Sequence, residues 1–557
     1  MAKKENVELL LEKGIITAEQ LTRARQEAAR AGIPTEKALE KLGFISAKDI
    51  AMAVANFLGV PFMDLSDYLV DPEVIKLVPE STAKKYKAVP LFKIADSLTV
   101  AMVDPQDIMA IDEIRIKSNI LRIEPVLSTT EMIQQAIDQY YNSMGTAEEL
   151  IKDLAPEKIQ VAGDSREALA GIAEEAPVIK LVNLIVVQAV KDKASDIHVE
   201  PEEEDVRIRY RIDGILHQIQ NIPKHLQSAV SSRIKVMAKM DIAQTRQPQD
   251  GRIQLKMENR SLDIRVSSFP TTHGENIVMR LLDKSTALLG LKDLGLGEKN
   301  LKIFERLLKH PNGIILVTGP TGAGKTTTLY AALGTINSVE KNIITIEDPV
   351  EYQIPMVRQT QVNPLAGLSF ANGLRSILRQ DPDVIMVGEI RDKETAEISI
   401  QASLTGHLVF STLHTNDAAT ALTRLIDMEI EPFLISSSVI GILAQRLVRL
   451  ICPKCKESYT VTAEMVNDLS LPANTVLYRG RGCAYCKNTG FSGRIGIFEV
   501  LVMANETKHM VASKSTALQI RTKAIEEGMR TLYDDGMEKV KNGLTTIEEL
   551  LRVTEEV

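Results

Sequence analysis

The stretch GIILVTGPTGAGKTTT at 313–328 leaves few folds open to this chain. Its first half is a run of β-branched and leucine residues with no polar alternation, the mark of a strand buried on both faces. Its second half is a glycine-rich turn that leads into a helix. Gly319, Gly324, Lys325 and Thr326 fill the fixed positions of the pattern G-x-x-x-x-G-K-[ST]. Glycines let successive backbone N–H groups point inward at phosphate oxygens, the lysine reaches the outer phosphates, and the hydroxyl beside it ligates magnesium. Gly319, Pro320, Thr321, Gly322, Ala323, Gly324, Lys325, Thr326 and Thr327 are therefore candidate nucleotide-binding residues. Such a loop joins a buried strand to the following helix, so the domain around it is α/β.

Three more apolar runs supply the rest of a parallel sheet: IITIED at 343–348, DVIMVGEI at 383–390 and HLVFSTLH at 407–414. They alternate with helical segments, which places helices on both faces. Glu389 emerges at the C-terminal end of the second run, where open α/β sheets hold their ligands, and is the candidate for fixing the magnesium water shell. The usual Asp is replaced there by Gly-Glu. Glu347, Asp348 and Glu351 follow the first run. Hydrolysis needs one carboxylate to orient or deprotonate the attacking water, with Pro349 setting the turn that aims it. Spacing alone does not choose among the three. His407 and His414 flank the third run, and two of only eight histidines at one strand point to a sensor of the terminal phosphate.

The only four cysteines are Cys452, Cys455, Cys483 and Cys486, two C-x2-C pairs separated by 27 residues. This is the spacing of an all-thiolate zinc knuckle, and four protein ligands leave no open position for catalysis, so the zinc is expected to be structural.

At 557 residues the chain exceeds one core and predicts roughly three or four domains. Residues 1–60 read as short amphipathic helices broken at Gly14, Gly32 and Gly43, with the phrases LLLEKGIITAEQL and ALEKLGFISAKDI suggesting two similar helical units with Thr or Ser as N-caps. Residues 61–142 read as a small α+β module and 143–175, acidic and alanine-rich, as a flexible linker. A second α+β domain spans 176–285, opening with an apolar helix at Pro177 and continuing in alternating strands such as VRIRYRI. The catalytic domain is 286–557, with the cysteine subdomain at about 450–490.

The net charge of -8 and the 4% aromatic content give neither a basic footprint nor stacking platforms for nucleic acid. The N-terminal segment lacks the apolar core of a signal peptide. The longest weakly polar run, 433–445, is shorter than the ~18 to 20 residues that cross a bilayer. A cytoplasmic protein that meets membrane only through partners is expected.

Further motifs are ASDIHVEP at 194–201, RYRIDGILH at 209–217, QPQDGR at 247–252, LRSILRQDPDVIMVGEIRD at 374–392, LTGHLVFSTLHTNDA at 404–418 and GLTTIEELLRVT at 543–554. With the phosphate loop, ITIEDPVEY and the cysteine pairs, they closely resemble the type II secretion and type IV pilus extension ATPases. The likeness is tight over 176–557 and loose before it. It implies a RecA-like ATPase domain preceded by a PAS-like α+β domain, a homohexameric ring, ATP and magnesium as ligands, and Glu351 as preferred base with Glu347 second. It further implies that His414 senses the terminal phosphate and that Arg265 and Arg280 reach the phosphates, as a fixed guanidinium fork can. The expected partners are an inner-membrane platform protein and an accessory recruiter, at the inner face of the cytoplasmic membrane.

Retraction ATPases of the superfamily generally lack the long N-terminal region and the tetracysteine insert. Both are present here, so pilin assembly is the first reading and type II secretion the second, with a DNA-transfer or helicase motor behind them. Residues 1–60 resemble the paired MshEN-type motifs that bind cyclic di-GMP in some of these ATPases. Glu5, Asn6 and Val7 in the first unit, and Pro34, Thr35 and Glu36 in the second, replace the Arg-Leu-Gly openings; Ala28 and Phe57 replace the closing glutamines. Without the arginines that face phosphate, tight cyclic di-GMP binding is not expected.

Overall fold

The computed structural model describes residues 13–141, 176–258, 260–283, 289–461 and 475–554, together with Val7, Leu10, Leu11 and Pro472. The linker read at 143–175 lies outside the described residues. The chain divides into two compact units, Met1–Ser285 and Thr286–Val557.

The first unit opens with the helices Ala18–Ala31, Thr35–Lys41 and Ala47–Leu58. Thr17 and Ser46 cap the first and third, and Gly32 and Gly59 end them in left-handed conformations. Next come β1 (Tyr68–Leu69), β2 (Ala88–Ile94), β3 (Ser97–Met102) and β4 (Arg122–Leu127). Strands β2, β3 and β4 form a three-stranded sheet. After the helix Ala176–Lys191 the chain runs through β5 (Ala194–Pro201), β6 (Asp205–Ile212), β7 (Ile215–Pro223), β8 (Gln249–Met257), β9 (Arg260–Thr271) and β10 (Gly274–Asp283).

These make a seven-stranded sheet in the order β1-β8-β9-β10-β5-β6-β7. In β6 the period of two is plain. Val206, Ile208 and Tyr210 face the core under Leu181, Ile185 and Val186 of the helix, while Arg207, Arg209 and Arg211 face outward. The membership of β1 shows that the α+β module and the second α+β domain at 176–285 share one sheet. Tyr68 and Leu69 pair with Lys256 and Met257, the Tyr68 hydroxyl donates to Glu258 O at 2.7 Å, and Lys191 pairs with Asp71 at 2.7 Å.

The second unit carries β11 (Gly313–Thr318), β12 (Ile343–Glu347), β13 (Arg358–Gln361), β14 (Val384–Val387), β15 (Leu408–Leu413), β16 (Val439–Ile451), β17 (Lys456–Thr460), β18 (Val476–Gly480) and β19 (Phe491–Val502). Its main sheet runs β13-β12-β14-β15-β11-β16-β19, parallel except for the β16–β19 pair. Every residue of β11, β12, β14 and β15 is buried, because helices cover both faces; this is why these strands read as unbroken apolar runs. The apolar run at 433–445 divides between the helix Pro432–Ser438 and β16. No helix among the described residues is long and apolar enough to cross a membrane.

Candidate active site and cysteine cluster

The phosphate loop leaves β11 and ends where the helix Lys325–Ile336 begins, so the N–H groups of the first turn face the loop. Gly319 and Gly324 have φ of 150° and 88°. A Cβ at Gly319 would stand 2.4 Å from Gln445 O, so the loop needs glycine both for its backbone conformation and for the close approach of β16. Lys325 is buried within this frame, its Nζ donating to Gly319 O at 2.8 Å and Pro320 O at 3.1 Å. Burial lowers its pKa while the charge of Glu389 opposes the shift. Thr326 lies exposed on the same turn.

Gln445 is a functional neighbour that the sequence did not disclose. From the interior of β16 its Nε2 donates to Ala323 O at 2.5 Å, and its Oε1 accepts from the Thr328 hydroxyl at 2.7 Å. It thus ties the loop and its helix to the adjacent strand. The only signal is an amide inside an apolar run, about 120 residues away from the loop it holds.

Glu389 stands just beyond β14. At the preceding Gly388 a Cβ would lie 3.3 Å from Glu347 Cα and 3.4 Å from Ile346 O, a close approach of β12 that favours glycine there. The Glu389 carboxylate receives Arg391 at 2.7 Å and His414 Nε2 at 3.4 Å. Lys325, Glu389 and His414 therefore gather at one end of the sheet. Thr415 fixes the position of His414, because its N–H donates to the Thr318 hydroxyl at 2.9 Å and the two hydroxyls lie 2.7 Å apart. The exposed hydroxyl on the helix turn and the carboxylate at the end of β14, which is separated from β11 by β15, are oxygen donors of the kind that magnesium takes.

His407 corrects the expectation of a paired sensor. It directly precedes β15, so the strand separates it by about 20 Å from His414, at the opposite end of the sheet. Its Nδ1 lies 2.8 Å from Ala402 O at the end of the preceding helix, a structural contact.

The acids after β12 differ sharply. Glu347, the second candidate for the base, is 2% exposed. Its Oε2 accepts from the Tyr330 hydroxyl, and its Oε1 accepts from Thr345 Oγ1 at 2.6 Å and Gln359 Nε2 at 3.1 Å. Burial raises its pKa, and these donors oppose the rise. A carboxylate so engaged has no oxygen turned toward water, which makes it part of the scaffold. Asp348 precedes a cis peptide to Pro349. Glu351 is half-buried on the turn beyond, its N–H bonded to the Tyr330 hydroxyl at 3.3 Å.

Arg265 and Arg280 belong to the first unit, where register makes them direct cross-strand partners. Arg252 lies opposite Arg265, Asp196 opposite Arg280, and Arg211 opposite Asp196, giving a row of four arginines and one acid across five strands. Arg280 Nε bonds Asp196 at 3.0 Å, and Arg252 grips Asp263 through two nitrogens. Like charges placed directly opposite one another destabilise a sheet; Asp196, which also lies 3.7 Å from Arg211, and Asp263 offset that cost here. The register that aligns Arg252 and Arg211 with Arg265 and Arg280 is not written in any one strand.

The four cysteine sulfurs lie within 4.8 Å of one another. Three separations are 3.9 Å (Cys452–Cys483), 3.8 Å (Cys455–Cys486) and 3.7 Å (Cys483–Cys486). Thiolates about 2.3 Å from a zinc ion define a tetrahedron with edges of about 3.8 Å, whereas a disulfide needs about 2.05 Å. Backbone N–H groups of Gly482, Cys483 and Gly490 point at the sulfurs of Cys455, Cys486 and Cys486, at 3.3, 3.2 and 3.3 Å. This cluster can hold zinc. Cys452 follows β16 seven residues after Gln445, so about 23 Å of strand separates the cluster from the phosphate loop.

The type II/IV secretion system protein family matches residues 172–552. The MshEN domain matches residues 58–147, over the α+β module, whereas the sequence likeness to it had been placed at 1–60. The chain is 43% identical to the type IV pilus assembly ATPase PilB of Myxococcus xanthus over 98% of both proteins. It is 45% identical to type II secretion system protein E of Xanthomonas campestris pv. campestris, over 99% of this chain and 98% of that protein. The Legionella pneumophila ATPase DotB shares the fold, with a TM-score of 0.50 at 20% identity over 66% of this chain and 94% of that one. A phosphate loop beside a strand-end glutamate on a RecA-like sheet, in a chain aligned almost end to end with such relatives, makes this protein an ATPase of the type II/IV secretion system protein family.

Proposed function

We propose that this ATPase drives type IV pilus assembly as a homohexamer at the cytoplasmic face of the inner membrane, where a platform protein converts its motion into insertion of pilin subunits and an accessory protein recruits it. The observation that carries the reading is the likeness to the Myxococcus pilus assembly ATPase, which runs through the N-terminal region as well as the catalytic unit. The equally complete likeness to the Xanthomonas secretion protein supports a second reading, a motor for the pseudopilus of type II secretion.

Within the site, Lys325 would turn from the loop carbonyls to the outer phosphates of ATP, and Thr326 and Glu389 would hold magnesium. The chemistry that the ion supplies is neutralisation of charge on the transferred phosphoryl group. Glu351 orients and deprotonates the attacking water, and His414, already against Glu389, reports the terminal phosphate. For Arg265 and Arg280 of the first unit, the family likeness supports a role in contacting phosphate. Zinc holds the cysteine subdomain together without entering the chemistry.

Deleting the gene in its native host tests the choice of filament. Loss of surface pili and twitching with enzyme secretion intact is expected; loss of secretion with pili intact favours the second reading.

A further inference from the structure

The turn that carries Glu351 has no strand or helix of its own, so something else must fix it. Two side chains do so. The Tyr330 hydroxyl, on the phosphate-loop helix, donates to Glu347 Oε2 and accepts from Glu351 N at 3.3 Å, and Gln359 Nε2 lies 3.3 Å from the same oxygen. That uses its one donor and one lone pair, since the two hydrogens of the Gln359 amide go to closer acceptors. Gln359, on β13, donates to Tyr352 O and Glu347 Oε1, both at 3.1 Å, and its Oε1 accepts from Ile354 N at 2.7 Å. The rings of Tyr330 and Tyr352 meet edge-on, with centroids 4.5 Å apart. The backbone is thereby held at Glu351 N, Tyr352 O and Ile354 N.

We propose that Tyr330, Gln359 and Glu347 form a positioning strut that couples the Glu351 turn to the phosphate-loop helix, so that the base and the phosphates it serves move as one body. The inference rests on the reading of Glu351 as the base. A core position in this helix needs only apolar bulk, and leucine would supply it. A buried polar group is costly unless its network is complete. Here the Glu347 carboxylate, the Tyr330 hydroxyl and the Gln359 amide all have partners, and their hydrogen bonds converge on the irregular segment that bears Glu351. The carboxylate of Glu347 accepts from all three of its neighbours; an amide there would turn its NH2 either on the Gln359 amide and the Thr345 hydroxyl or on the Tyr330 hydroxyl that now donates to it.

Tyr330→Phe in the full-length protein keeps the ring and removes the oxygen. A lateral shift of about 1 Å in a catalytic group can cost about a hundredfold in rate, so kcat is expected to fall tenfold to a hundredfold. KM for ATP should stay within about twofold, because the phosphate loop is untouched. Where Tyr330→Phe melts well below the parent, Gln359→Leu, which frees the same turn from the edge strand, carries the test with the same expected split. A kcat within about twofold of the parent in the folded variant, beside an inactive Glu351→Gln, overturns the strut and leaves the base assignment standing. A fall in both kcat and nucleotide affinity overturns it as well, since the loop itself would then have been disturbed. Wild-type kcat in Glu351→Gln overturns the base assignment instead, and the strut with it.

Discussion

Lys325→Ala should abolish nucleotide-dependent activity, lowering kcat/KM for ATP by at least about a hundredfold, the scale of removing one well-placed charge stabiliser from a phosphoryl-transfer site. Lys325 is the buried cation of the phosphate loop, and its ammonium already sits on the loop carbonyls of Gly319 and Pro320. The charge of Glu389 favours its protonated form against the cost of burial. Removing it leaves the loop glycines and Gln445 in place, so the variant should remain folded and lose affinity rather than structure. Titration with a fluorescent ATP analogue, beside a melting curve, checks both halves. Turnover at the parental rate would remove the loop from the active site.

Loss of zinc should have the second largest effect, on stability rather than chemistry. Binding by a tetrathiolate site is folding free energy, worth about 10–16 kcal/mol in isolated zinc-finger peptides. Here β16 and β19 hold the base of the subdomain through their long antiparallel pairing, so only part of that energy is at stake. A loss of about 3 kcal/mol in a unit of this size lowers Tm by roughly 6–12 °C. Cys455→Ser should show that drop together with zinc well below one equivalent per chain. Nucleotide affinity should be near that of the parent, since the cluster lies far along β16 from the loop. Full zinc content and unchanged melting in Cys455→Ser would refute a structural tetrathiolate.

The sequence made some of these parts legible for identifiable physical reasons. The four core strands stood out because both of their faces are covered, and Thr17 and Ser46 because an N-cap is a local matter. His407 and His414 looked alike because a strand places two similar residues at its ends without showing which end meets the phosphate loop. Glu347 and Glu351 looked alike because burial by Tyr330 and Gln359 comes from other elements. Tyr330 itself passes for an apolar helix residue. The arginine row, the two-residue strand β1 and the reach of Gln445 all depend on register between segments far apart in the chain.

The central claim is that ATP is bound by the phosphate loop and hydrolysed through the separate turn at Glu351. Single-turnover hydrolysis in Glu351→Gln, measured beside its ATP affinity, tests this most directly. ATP should bind with an affinity within about twofold of the parent, while the hydrolysis rate falls by at least about a hundredfold, the scale of losing general-base catalysis. A parental single-turnover rate, or an equal loss of binding and hydrolysis, would contradict it.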